Sequence, residues 1–203
     1  KRDKTAEITI FERGDHPEYS PCALPYVISG EIDIKDIFLF KQTDYAANDV
    51  ALCLNSSVER IDREKKAITY TRKGESKEIS YDKLVLATGS HAFVPPIKGL
   101  KDSTYHVLNT LEDARATSEI PKGDSVVIGA GMIGVELAHS LVQRGDNVTL
   151  LEADEHILPG ILDKGMAKQL HESLPFTIYE DATIDRVAGN EVVAREKIPF
   201  DTL

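Results

Sequence analysis

Cysteine is scarce in this chain of 203 residues: Cys22 and Cys53 are all it has. Two thiols cannot make the disulfide framework of a small secreted domain, and they fit a reducing, cytoplasmic setting. Positive charge is short as well. Lys and Arg number 24 against 34 Asp and Glu, a net charge of −10, which argues against nucleic acid as a partner. No apolar run nears the ~20 residues of a membrane span, and no charged-then-apolar signal peptide opens the chain, so no membrane partner is expected. Repeats and low-complexity segments are lacking. The histidines, at 16, 91, 106, 139, 156 and 171, show no metal-ligand spacing, so no metal is expected. Met is missing from the start, and the final FDTL reads as the front of an interrupted strand. We expect a piece of a longer polypeptide.

What is present is an ordinary globular composition, 41% hydrophobic and 29% charged, enough for one large or two small domains. AEITIFE, Ala6 to Glu12, reads as a strand ending on a carboxylate. VALCLNSSVERID, Val50 to Asp62, alternates as one strand, and AITYTR and KEISYDK read as an antiparallel pair around KGES. KLVLATG, Lys83 to Gly89, is a continuous apolar run before glycine, the pattern of a strand buried on both faces. HAFVPPIKGL is a proline-rich connector and the expected domain boundary. Beyond it LEDARAT and LDKGMAKQLHESL read as helices, and TIYEDATIDRVAGNEVVA returns to strands. Strands alternating with helices imply an α/β fold.

The clearest signal is SVVIGAGMIGVELAHSLVQRGDNVTLLE. A strand from Ser125 to Ile128 runs into Gly129, Gly131 and Gly134, then a helix beginning near Met132 and Ile133. Gly129 permits the tight turn, Gly131 lets backbone approach a pyrophosphate, and Gly134 lets helix pack closely on strand. The helix start offers N–H groups to phosphate. A second strand delivers Glu152, about twenty residues on, where a carboxylate bonds a ribose 2′-hydroxyl. That acid favours NADH over NADPH, and no Lys or Arg follows before Lys164, His156 being the nearby candidate cation. The alternative is a tight turn that binds nothing.

Glu12 ends an early strand as Glu152 ends a later one. The pairing suggests two nucleotide-binding units of Rossmann-like, three-layer type, the first truncated at its N-terminus, with an antiparallel β-meander inserted; taken alone, Glu12 reads better as a carboxylate that ends a strand by chance. Ala87, Thr88 and Gly89 would bring small residues to the carboxyl edge of a sheet, where α/β folds bind ligands, or would be an ordinary strand exit. Cys22 lies in SPCALPYVISG between Pro21 and Pro25, a fixed backbone that suits a reactive thiol better than a buried one. Cys53, between Leu52 and Leu54, reads as packing. His16 reads as a solvated loop histidine, with a proton partner of Cys22 as the other reading.

ITIFERGDHPEYSPCALPYVISG, YDKLVLATGS with PPIKGL, TLEDA, and VVIGAGMIGVELA with LLEADEHILP occur in this order. Together they resemble the pyridine nucleotide–disulfide oxidoreductases, in particular the single-cysteine branch of coenzyme A-disulfide reductases, NADH oxidases and peroxidases, and persulfide reductases. The resemblance implies an FAD-dependent NAD(P)H oxidoreductase, NADH preferred, with residues 1–100 as a partial FAD domain carrying the redox cysteine. Residues 101–203 would be an NAD(P)H domain cut short at its C-terminus. It implies that Glu12 binds the FAD adenosine ribose, that the Val58 backbone meets adenine, and that Ala87, Thr88 and Gly89 make a second FAD contact. Glu136 would lie near nicotinamide and flavin, and Cys22 would be the redox thiol.

The chain also departs from the family. Val27 stands where paired-cysteine members have their second thiol, Asn109 where members often have an FAD-contacting Arg, and Glu18 and Pro21 where coenzyme A-binding members have Ser and Asn. The implied acceptor is a small disulfide or persulfide, with peroxide or O2 as alternatives and a homodimer for the full-length protein. A non-catalytic NAD-binding module and a redox sensor acting through Cys22 remain the readings outside enzymology.

Overall fold

The computed structural model describes residues 5–194 and 196–203. In chain order, strand β1 (Ile8–Phe11) precedes a 3-10 turn (Pro21–Ala23), helix α1 (Leu24–Ser29) and helix α2 (Gln42–Ala47). Four strands follow: β2 (Val50–Cys53), β3 (Ser56–Asp62), β4 (Ala67–Arg72) and β5 (Glu75–Ser80). After the connector come α3 (Leu111–Glu119), β6 (Asp124–Ile128), α4 (Met132–Arg144), β7 (Asn147–Leu151), α5 (Lys164–Ser173) and β8 (Thr177–Tyr179). β9 (Arg186–Ala188), β10 (Glu191–Val193) and β11 (Lys197–Pro199) finish the chain. The fold is α/β.

By packing, the chain divides into two compact units: the described residues of Lys1–Ser20 with Lys35–Gly89, and Pro21–Ile34 with the described residues of Ser90–Leu203.

In the first unit β1 and β2 pair in parallel, Ile8 opposite Val50 through Phe11 opposite Cys53. β3, β4 and β5 form the antiparallel meander. Its second hairpin is tighter than KGES suggests. Lys73 and Gly74, with φ 52° and 79°, make a two-residue turn that leaves Glu75 and Ser76 in β5. Val50 to Asp62 is two strands rather than one. Asn55 takes a left-handed φ of 51°, and the chain leaves the parallel pair with β1 to join the antiparallel pair with β4. Lys83 to Gly89 also differs from expectation, for it forms no strand, and Val85 and Leu86 are 84% and 67% exposed. A doubly buried strand needs hydrogen-bonding neighbours and a layer on each face. Among the described residues no strand pairs with this segment, and the adjacent parallel sheet holds β1 and β2 alone.

The second unit stacks three layers. β6, β7 and β8 form a parallel sheet, Ser125 opposite Val148 and Leu151 opposite Tyr179. Alternation along β6 sorts its side chains: Val127 turns toward α4, while Val126 and Ile128 join the core shared with Val187, Val192 and Ile198 of the antiparallel β9–β11 sheet. α4 covers β6 and β7 with Val135, Ala138 and Leu141, spaced on one helical face, and α1 packs on α3 and α4. Gly145, at φ 106°, ends α4 by donating to the Leu141 and Val142 carbonyls. Thr110 and Asp113 exchange hydrogen bonds at the start of α3.

A buried ion pair ties these layers together. Arg144 Nε donates to Asp146 Oδ2 at 2.7 Å, and Arg144 Nη1 to the Thr117 carbonyl at 2.7 Å. Asp146 Oδ1 also accepts from Ser125 Oγ and the Gly123 amide, each at 3.2 Å. Burial pushes the Asp146 carboxyl up, but the bonds from Arg144, Gly123 and Ser125 outweigh it and hold the group below its usual 3.8. Its stabilisation is therefore present above the unfolded pKa and is lost as pH falls through the folded one. Asp146→Asn is expected to lose about 2 kcal/mol at pH 7. In thermal melts the gap to wild type should close below pH about 4. A gap that stays constant down to pH 3 contradicts this.

Candidate functional site

The glycine turn lies between β6 and α4, and each glycine meets a different constraint. Gly129 takes φ 101° and donates its N–H to the Leu151 carbonyl at 2.8 Å, so the turn is locked to the end of β7. At Gly134 a Cβ would be driven into the Gly129 carbonyl oxygen and would sit 3.0 Å from its carbon. Gly131, the N-cap of α4, has φ −69° and ψ −178°, which any residue adopts, and a Cβ there would meet nothing within 4 Å. Met132 and Ile133, 57% and 58% exposed, open the first turn of α4, and Glu136 is exposed one turn further on.

Glu152 leaves β7 with its carboxylate turned back over this turn. It is 7% exposed; Oε2 accepts the Ala130 amide at 2.6 Å and Oε1 the Asp154 amide at 2.9 Å. The expected partner of a ribose thus also fixes the backbone of the glycine turn. The segment after it closes over the same place, the Leu158 amide donating to the Ala130 carbonyl at 2.8 Å. Sequence reading missed Ile157, Leu158 and Glu180, which hold that segment. The Pro159-Gly160 pair marks a turn there but does not say what the turn rests on. Lys164, the first cation after Glu152, pairs with Glu155 at 2.7 Å and holds that carboxyl below its usual range.

Cys22 sits in the 3-10 turn before α1, its thiol free and exposed. α1 starts at Leu24, with Pro25 in its first turn, and buries Leu24, Pro25 and Ile28. The turn carrying Cys22 is thereby mounted on a helix that packs against α4, the helix the glycine turn opens. Val27, in the position of a second thiol, is an α1 residue.

In the first unit Glu12 follows β1, pinned by its amide to the Cys53 carbonyl (2.9 Å) and by its carbonyl to the Ser56 amide (2.9 Å). Its Oε1 accepts the Gly14 amide at 2.6 Å. Val58 lies two residues beyond Ser56 in β3, 41% exposed. Ala87, Thr88 and Gly89 are exposed, Gly89 with φ 70°. Cys53 is a half-buried member of β2. His16 corrects the expectation of a solvated side chain. It is 16% exposed, meets Asp15 Oδ1 at 2.7 Å, and packs against the rings of Tyr19 and Phe38. Asn109, in place of the family's Arg, bonds Ser90: Nδ2 donates to its carbonyl at 3.0 Å.

Fold and turn together define an α/β protein with a strand–glycine turn–helix–strand–acid unit. The chain belongs to the pyridine nucleotide-disulphide oxidoreductase family, whose model matches residues 1–197. It is 33% identical over 196 residues to the NADH-dependent phenylglyoxylate dehydrogenase subunit epsilon of Aromatoleum evansii, covering 96% of this chain and 45% of that one. It is 32% identical over 203 residues to an NADH oxidase of Methanocaldococcus jannaschii, covering 95% and 45% respectively. Among solved structures, reduced Bacillus anthracis CoADR-RHD superposes with a TM-score of 0.91 at 27% identity, over 98% of this chain and 39% of that one. The chain spans under half the length of these relatives. Among the described residues no helix is long and apolar enough to cross a membrane.

Proposed function

We propose that the chain is the nucleotide-handling part of an FAD-dependent NAD(P)H oxidoreductase that reduces a small disulfide or persulfide through Cys22. The observation that carries the reading is Gly131. Neither backbone conformation nor any neighbour demands a glycine there, so the space it leaves at the head of α4 suits something from outside the chain. A pyrophosphate set against the first amides of a 13-residue helix suits that open space in charge. Glu152, already oriented by two amides, then stands where a ribose hydroxyl would bond it. A 2′-phosphate would meet this buried carboxylate, and Lys164 is engaged by Glu155, so NADH is favoured over NADPH.

FAD would be held by the part read as 1–100, at Glu12, Val58 and Ala87 to Gly89, with NAD(P)H on 101–203. Glu12 suits a ribose because Gly14 already fixes one of its oxygens. Bound flavin supplies the passage of an electron pair from nicotinamide to sulfur. The work of this chain is to present Cys22. As thiolate it attacks one sulfur of the acceptor disulfide, forming a mixed disulfide and releasing the other sulfur as thiolate. With Val27 at the partner position, no internal dithiol forms at this motif, which leaves a mixed disulfide or, with peroxide, a sulfenic acid. The likeness to an NADH oxidase favours a second reading, in which O2 or peroxide is the acceptor.

Gly131→Ala tests the carrying observation. The extra methyl meets open space in the protein, so the melting temperature should hold within about 2 °C. NADH affinity should fall about tenfold in calorimetry, because the methyl occupies the ground of the phosphate. Unchanged affinity sinks the dinucleotide reading of this turn.

A further inference from the structure

Ala130, the middle of the glycine turn, is held at both of its backbone groups by the segment after β7: its N–H by Glu152 and its carbonyl by the Leu158 amide. Leu158 makes that bond in a left-handed conformation, φ 52°. A branched L side chain there is strained by about 1 kcal/mol or more, so the surroundings must impose it. The residue before it is the anchor. Ile157 has no exposed surface, and its amide donates to Glu180 Oε1 at 3.0 Å, while His156 Nδ1 meets its carbonyl at 2.9 Å. Glu180 follows β8, and His171 Nδ1 of α5 steadies the same oxygen at 3.2 Å. Two backbone bonds lay the Glu180–Ala182 stretch along this segment: Asp181 amide to Asp154 carbonyl (2.9 Å) and Ala182 amide to Glu152 carbonyl (2.7 Å).

We propose that Glu180 is a positioning residue for dinucleotide binding. It acts through Ile157 and Leu158 on Ala130, and so on the geometry of the turn that receives the pyrophosphate. It touches no ligand. The inference rests on the dinucleotide reading of the turn and adds a residue that follows a different strand, about fifty positions away. Removing the carboxylate leaves a buried amide without its partner and frees Leu158 to leave its strained conformation, so Ala130 loses the bond to its carbonyl. The turn then has to be ordered by the ligand, which weakens binding without touching the chemistry.

The test is calorimetry on the full chain with ADP-ribose, which engages the turn but carries no nicotinamide. Glu180→Ala should weaken it about tenfold, whereas Glu180→Gln, which keeps an acceptor oxygen for Ile157, should stay within about twofold. Glu180→Ser, too short to reach Ile157, is the second disrupting variant and should match alanine. Asn147→Ala, which removes a bond to Asp124 at the far end of the sheet, should keep full affinity despite its lower stability. In turnover by the complete polypeptide, KM for NADH should rise with kcat unchanged. Equal affinity for alanine, serine and wild type overturns the inference, as does a glutamine variant as weak as alanine. Failure of wild type to bind ADP-ribose overturns the dinucleotide reading itself.

Discussion

Gly134→Val is expected to abolish NADH binding and to lower the melting temperature by about 10 °C, the shift that roughly 4 kcal/mol produces in a domain of this size. Overpacking a core ordinarily costs about 1–3 kcal/mol because side chains can turn aside. Here the obstacle is the Gly129 carbonyl, which cannot turn: Gly129 already stands at φ 101° with its amide committed to Leu151. The Val127 side chain, 3.7 Å from the new Cβ, closes the other way out. α4 must therefore lift from β6, which breaks the Val135, Ala138 and Leu141 contact face and moves the helix amides from the proposed phosphate position. Circular dichroism melts and calorimetry with NADH read the two effects separately. A variant that melts with wild type and still binds would show that the close approach is not needed. The contrast with Gly131→Ala is diagnostic: one glycine is demanded by the protein and the other is left open by it.

Local chemistry explains what the sequence disclosed. The turn from Ser125 to Glu152 was legible because its constraints act within a few residues: a tight turn, a close helix and a strand ending on acid. The meander was legible from alternation, though the shortness of the Lys73-Gly74 turn, two residues rather than four, was not. Lys83 to Gly89 shows the limit. Its apolar run states what the segment is suited to, but hydrogen-bonding neighbours decide whether a strand forms, and composition does not count neighbours. His16 fails for a related reason. A histidine between acid and proline reads as solvated, yet Tyr19 and Phe38 enclose it through contacts the local pattern does not encode. Glu180 was illegible altogether, since its bond to the Ile157 amide joins two irregular segments that follow different strands.

Cys22→Ser is expected to reduce disulfide or persulfide turnover by the complete polypeptide by at least about a thousandfold, since a serine hydroxyl does not ionise where a thiol does. The fold gives the variant little reason to be unstable, because Cys22 is exposed and α1 is anchored by Leu24, Pro25 and Ile28 rather than by the thiol. NADH affinity should therefore persist, separating the sulfur step from dinucleotide binding. Thiol titration of the folded wild-type chain should show one fast group, the exposed Cys22, and one slow, the half-buried Cys53. Only the fast group should disappear in the variant. The acceptor decides between the two enzymatic readings. If NADH-driven oxygen consumption is untouched by the substitution while disulfide reduction is absent even in wild type, oxygen takes electrons without the thiol, and Cys22 is not catalytic. If both activities fall together, sulfur is the obligatory relay, and Cys22 rather than the half-buried Cys53 carries it.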